Sequence, residues 1–185
     1  GDGNGDGNGD GNAELVAHFP LDSHGDSTEV GGFTASTVAD VEFGSVGANG
    51  NTGGSATFNG ASSIIQHDWS AELNPESFTL ALWARSEGGA GAWHSLVTSR
   101  NDKNPDSQGY LIYDNSPSGA WAFWSGNGAE EGNWQTLDGP EATIGEWEHI
   151  AITYNNKEET KKLYINGELE VESYDSVFPN DTKPF

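Results

Sequence analysis

From Ser77 to Arg85 the residues Phe78, Leu80, Leu82 and Ala84 alternate with Thr79, Ala81, Trp83 and Arg85. Period two is the mark of a strand with one buried face, here with an aromatic beside a cation on the other side. Trp147 to Tyr154 repeats the pattern, with Ile150 and Ile152 pointing one way and His149, Ala151 and Thr153 the other, and Lys161 to Ile165 repeats it again. The polar segment Asn155 to Thr160 between them predicts a hairpin with a loop longer than a two-residue turn. Asn166-Gly167 predicts a type I′ turn into a third strand, Glu168 to Tyr174, completing an antiparallel meander.

The rest of the chain is punctuated in the same way. Glu14 to Phe19 predicts a first strand with Leu15, Ala17 and Phe19 on one face, broken by Pro20 and Asp22-Ser23. Leu21 to Gly54 is rich in Gly, Ser, Thr and Asp and reads as an irregular crossover with one short strand at Val38 to Phe43. Ser55 to Asn59 and Ser62 to His67 flank an Asn59-Gly60 turn, with Phe58 expected in the core. Further strands are predicted at Trp93 to Ser99, Gly109 to Tyr113, Ala120 to Ser125 and Trp134 to Leu137, separated by Gly-, Asn- and Ser-rich turns. Within Ala120 to Ser125, Trp121 and Phe123 face opposite Ala122 and Trp124. No window of helical length carries an i, i+3, i+4 apolar stripe. Short strands at this spacing predict an all-β, two-sheet antiparallel β-sandwich of the jelly-roll kind.

Composition narrows the function. Seven Trp and 11% aromatic residues in 185 supply the area for one core, so residues 14–185 read as one domain. Residues 1–13 begin with three Gly-Asp-Gly-Asn copies, and with no apolar residue among those copies the segment reads as a flexible linker. Its other reading is a calcium loop, since Asp2, Asn4 and Asp6 alternate and Gly7 sits at the sixth position, but the twelfth falls on Ala13 rather than Glu. A formal charge of −22, from 29 acidic and 7 basic residues, argues against nucleic acid or an anionic membrane as partner. No apolar run approaches the ~18 residues of a membrane-spanning helix. There is no Cys, hence no disulfide framework.

The order Trp-x-His-Ile-Ala-Ile-Thr-Tyr (residues 147–154), a polar loop, then Leu163-Tyr164-Ile165-Asn166-Gly167 resembles the signature hairpin of laminin G-like domains in the concanavalin A-like lectin/glucanase superfamily. Phe78-Thr79-Leu80 followed by Trp83 and the run Ala56 to Gly60 resemble two further motifs of those domains. The resemblance implies a concanavalin A-like sandwich and a calcium ion held near the Asp that follows the opening strand, which points to Asp22 and Asp26. It also implies one or two closing strands after Phe185, and an extracellular or cell-surface setting in a secreted bacterial protein.

Three functions compete. Indole faces stack on the C–H faces of sugar rings, so Trp83, Trp121 or Trp124, Trp134 and Tyr164, with the polar neighbours Arg85, Asn127 and Asn133, are candidate glycan contacts. This favours a non-catalytic, monomeric recognition module that binds a glycan with structural calcium. An adhesion or spacer domain touching a surface protein or nothing is the alternative. A polysaccharide-cleaving enzyme is the third, but no Glu-x-Asp-x-x-Glu strand occurs. Glu168, Glu170 and Glu172 read as one solvated strand face rather than a catalytic pair. The five His show no metal spacing, and no nucleophile motif is present.

Overall fold

The computed structural model describes residues 13–50, 54–88, 93–102, 107–115, 119–129 and 134–185. The Gly-Asp-Gly-Asn repeat and Asn133 lie outside the described residues. Among these the chain forms β1 (Ala35–Ala39), β2 (Glu42–Ser45), β3 (Ser55–Thr57), β4 (Ile64–His67), a single 3-10 turn (Ala71–Leu73), β5 (Phe78–Arg85), β6 (Trp93–Asn101), β7 (Gln108–Asn115), β8 (Ala120–Gly126), β9 (Trp134–Glu141), β10 (Trp147–Asn155), β11 (Thr160–Ile165) and β12 (Glu168–Tyr174).

Two four-stranded antiparallel sheets, ordered β12-β11-β10-β5 and β6-β7-β8-β9, make a concanavalin A-like sandwich, with β1-β4 and β2-β3 as separate two-stranded ribbons. The alternation read from the sequence sets the layers. Ile150 lies opposite Leu82 and Ile152 opposite Leu80 on one face of the first sheet, while His149 and Ala151 lie opposite Trp83 and Ala81 on the other. The inner side chains meet Tyr110, Ile112, Trp121, Phe123 and Leu137 of the second sheet, forming one core. The β11–β12 turn has φ of 52° at Asn166 and 88° at Gly167, as a type I′ turn requires. The Asn166 side chain also accepts from the His149 N–H at 2.9 Å, tying the turn to β10.

The residues after β12 close one end of the sandwich. Gly109 N–H donates to the Phe178 carbonyl at 2.7 Å, and Phe178 N–H donates to Gly126 at 2.8 Å. Gly109 is required there: its φ is 89°, and a Cβ would sit 1.8 Å from the Ser99 carbonyl oxygen. Asn180 is buried, with its side chain donating to Ser99 Oγ and accepting from the Thr182 and Lys183 amides. Phe185 exchanges backbone bonds with His67 in both directions, and its ring stacks on Phe19.

Four expectations are corrected. Glu14 to Phe19 joins no ladder; Leu15 and Val16 are exposed, the His18 carbonyl accepts a single bond from the Thr28 amide at 2.8 Å, and the Phe19 ring packs on Phe33, His67 and Phe185. The strand expected at Val38 to Phe43 is two strands, because Asp40 has φ 52°, and the halves join different ribbons. Phe58 is 46% exposed rather than in the core, since β3 ends at Thr57 and is held only by β2. The three glutamates of β12 do not share a face. A register shift puts Glu172 opposite Lys162 but Glu168 opposite Ile165, and these two positions of β11 face opposite ways.

Candidate functional site

On the second sheet the outward side chains of β6 to β9 form an aromatic cluster. Cross-strand pairing places Leu111 beside Trp124, Tyr113 beside Ala122, and Trp134 beside Gly126. Leu111, Tyr113 and Ala122 are buried as a group of their own, with Trp124 and Trp134 packed over them. Ala122 and Gly126 are the small residues paired with Tyr113 and Trp134 on this face. Trp93, at the start of β6, sits with ring centroids 5.4 Å from Tyr113 and 5.2 Å from Trp124, the latter edge-on, and Tyr113 meets Trp124 at 89°. The two contacts of Trp124 are the edge-to-face arrangements that ring quadrupoles favour, and Trp93 is tilted on Tyr113. Trp93 remains 50% exposed, so one indole of the cluster faces solvent.

Polar groups border the cluster. Arg100 donates from Nη1 to the Tyr113 hydroxyl at 3.1 Å and pairs through Nε with Asp102 Oδ2 at 2.9 Å. Because the phenol oxygen accepts from Arg100, its own proton is left to donate elsewhere. Asp138 lies opposite Ala122, on the β9 side of the same face. The buried Trp124 indole N–H has no hydrogen-bond partner.

The residues singled out from the sequence divide between two faces. Trp124 and Trp134 belong to this cluster, and Asn127 lies in the loop after β8, where its side chain accepts from the Ala129 amide. Trp83, Arg85 and Tyr164 lie on the outside of the other sheet. There Trp83 is 55% exposed and edge-on to His149, Arg85 lies 5.6 Å from the Trp147 ring and pairs with Glu87, and Tyr164 is flanked by Leu169 and Ala151. Trp121 is not a surface residue: it is buried in the core, donating from Nε1 to Glu148 at 2.8 Å. Trp93, Tyr113 and Arg100 went unrecognised in the sequence. Their common face depends on strand pairing and on the register shift between Ser95 and Val97, which no single-strand alternation displays.

Acidic groups are dispersed. Glu148 is taken up by Trp121 and the Thr143 amide, and Asp114 by Ser86. Asp26 accepts the Ala35 amide at 2.7 Å through Oδ1, and Asp22 accepts from Ser23. No group of three His, Cys, Asp or Glu positioned to hold a metal occurs among the described residues. Calcium at Asp22 and Asp26 would therefore draw most of its six to eight oxygens from backbone carbonyls and water.

Residues 58–185 match the Laminin_G_3 family model, described as the concanavalin A-like lectin/glucanases superfamily. The chain belongs to this superfamily. Solved structures similar to this superfamily member include the CBM40 module of the Ruminococcus gnavus IT-sialidase bound to α2,3-sialyllactose, at a TM-score of 0.48 and 19% identity over 61% of this chain and 62% of that one. Another is the carbohydrate-binding module CBM66 from Bacillus subtilis, at a TM-score of 0.42 and 17% identity over 66% of this chain and 71% of that one. No curated protein matches it.

Proposed function

We propose that this domain is a non-catalytic carbohydrate-recognition module whose binding surface is the outer face of β6 to β9, acting outside the cell. The observation that carries this reading is the aromatic cluster itself. A solvated sheet face ordinarily alternates toward polar side chains, whereas this one packs Trp93, Tyr113 and Trp124 against one another and leaves Trp93 half exposed to solvent. An exposed indole bordered by a phenol, a guanidinium and a carboxylate matches a sugar ring, which offers a C–H face for stacking and equatorial hydroxyls for hydrogen bonds. Superfamily membership is compatible with either a lectin or a glucanase. The engagement of Asp114 and Glu148 by neighbouring donors favours the former.

Affinity electrophoresis in gels containing neutral plant and microbial polysaccharides tests the reading. Retardation by at least one polymer, abolished in Trp93→Ala and in Trp124→Phe with thermal unfolding still cooperative, is the expected result. Retardation that survives both substitutions would move the site elsewhere. The opposite face supplies the second reading, because Trp83 and Leu169 are both exposed there. Loss of retardation in Trp83→Ala but not Trp93→Ala would select it.

A further inference from the structure

Accepting glycan recognition by the β6 to β9 face, we infer that the site is built for neutral sugars and discriminates against uronate, sialate and sulfate groups. Among the described residues of this face Arg100 is the single cation, and an arginine beside an aromatic platform would ordinarily suggest a carboxylate ligand, gripped by two parallel N–H bonds. The geometry works against that grip. A guanidinium has two forked edges, Nε with Nη2 and Nη1 with Nη2. Asp102 occupies Nε at 2.9 Å and so closes the first edge, and Tyr113 takes one of the two N–H groups of Nη1 at 3.1 Å, so the guanidinium is already held from both ends.

The charge balance points the same way. Asp102 neutralises Arg100, Asp138 adds a negative charge across Ala122, and the chain carries a formal −22. An anionic glycan would approach carboxylates at the site and a repulsive field around it, which physiological salt screens only beyond a Debye length of about 8 Å. A neutral sugar meets no such penalty. It gains what the pair offers: Nη2 and the Tyr113 proton as donors, and the Asp102 carboxylate as an acceptor for a hydroxyl on the same ring.

The test uses the full 185-residue chain and pairs of polymers that differ only in charge: galactan with its sulfated form, and homogalacturonan with and without full methyl esterification, each titrated calorimetrically at low and physiological salt. The expected result is binding to a neutral member at least about tenfold tighter than to its charged counterpart, the gap widening at low salt. Asp102→Asn, at an exposed position, should narrow the gap on the order of threefold and weaken neutral binding. Equal or tighter binding of the charged member, or a ratio unmoved by Asp102→Asn, overturns the inference while leaving glycan recognition standing. Binding that is absent for all four polymers and for the wider neutral set, or indifferent to Trp93→Ala, overturns both.

Discussion

Lys161 offers the sharpest test of how the sandwich tolerates charge. It sits on the inward side of β11 at 0% exposure, donating to Ser125 Oγ of the opposite sheet at 2.8 Å and ion-paired with Asp175, which follows β12. Burial holds its ammonium below the ordinary lysine range, while Asp175 pulls the other way. Asp175→Asn keeps the shape and removes the counter-charge, leaving an enclosed cation whose remaining partners, the Ser125 hydroxyl and the Gln135 amide, are neutral. Breaking a buried pair from one side costs about 3–5 kcal/mol; the 27% exposure of Asp175 lets water reach the gap and puts the loss near the lower end, ~3 kcal/mol. Lys161→Met removes the buried charge itself and leaves only a half-wet carboxylate, so it should fall within about 1 kcal/mol of the wild type. Urea unfolding followed by Trp fluorescence reads both. The pH dependence has a definite sign: with the folded pKa below the unfolded value of about 10.5, the unfolded chain holds its proton longer. Stability therefore rises with pH across that window, and Asp175→Asn widens it downward. A loss under about 1 kcal/mol in Asp175→Asn, or an equal loss in Lys161→Met, would refute the reasoning.

Tyr110 should act against this at higher pH. Burial raises its phenol, which donates to the Leu73 carbonyl at 2.7 Å, so the unfolded chain ionises first and stability falls above about pH 10. Tyr110→Phe should flatten that alkaline loss at a cost of about 1 kcal/mol near neutrality, checked by denaturation across pH. Gly109→Ala combines a left-handed backbone with a Cβ driven into the Ser99 carbonyl and should cost at least about 3 kcal/mol by the same assay. Trp121→Ala should cost about 3–5 kcal/mol and orphan Glu148, whereas Trp93→Ala should cost about 1 kcal/mol and chiefly abolish glycan retention. If calcium binds at Asp22 and Asp26, excess calcium should raise the melting temperature over chelator in the wild type but not in Asp22→Ala; identical melting in both buffers would reject the site.

Why the sandwich was legible and its surface was not follows from what each depends on. Strands β5, β10 and β11 alternate without interruption, so Leu82, Ile150 and Leu163 announce the core from local pattern alone, and Asn166-Gly167 announces the turn because few residues tolerate two successive positive φ values. The strand readings between residues 14 and 43 failed for the converse reason. Leu15 and Val16 alternate as well as any strand residues, yet a ladder needs a partner, and Phe19 is used instead to seat Phe33, His67 and Phe185. A positive φ at Asp40, unlike one at a glycine, carries no compositional signal.

The aromatic face lies at the far end of this scale, since it depends on three registers at once. Trp124 could be assigned to the side opposite Phe123 from β8 alone. Bringing Trp93 onto the same face requires β6 to pair with β7 and to slip by one residue between Ser95 and Val97; without that slip, the phase of Leu96 and Val97 would put Arg100 on the core side. The irregularity that hid the site from sequence reading is thus also what assembles it. On an unshifted β6 the guanidinium could not reach the Tyr113 hydroxyl, and the aromatic face would lack its cation. Deleting Leu96, unlike pairing an intact β6 without the slip, takes out the extra residue itself and leaves Trp93 opposite Asn115 and Arg100 opposite Gly109 on a straightened strand, so glycan retention should survive. Its loss in a variant whose core, anchored by Ile112, Phe123 and Ile150, still unfolds cooperatively would refute this account.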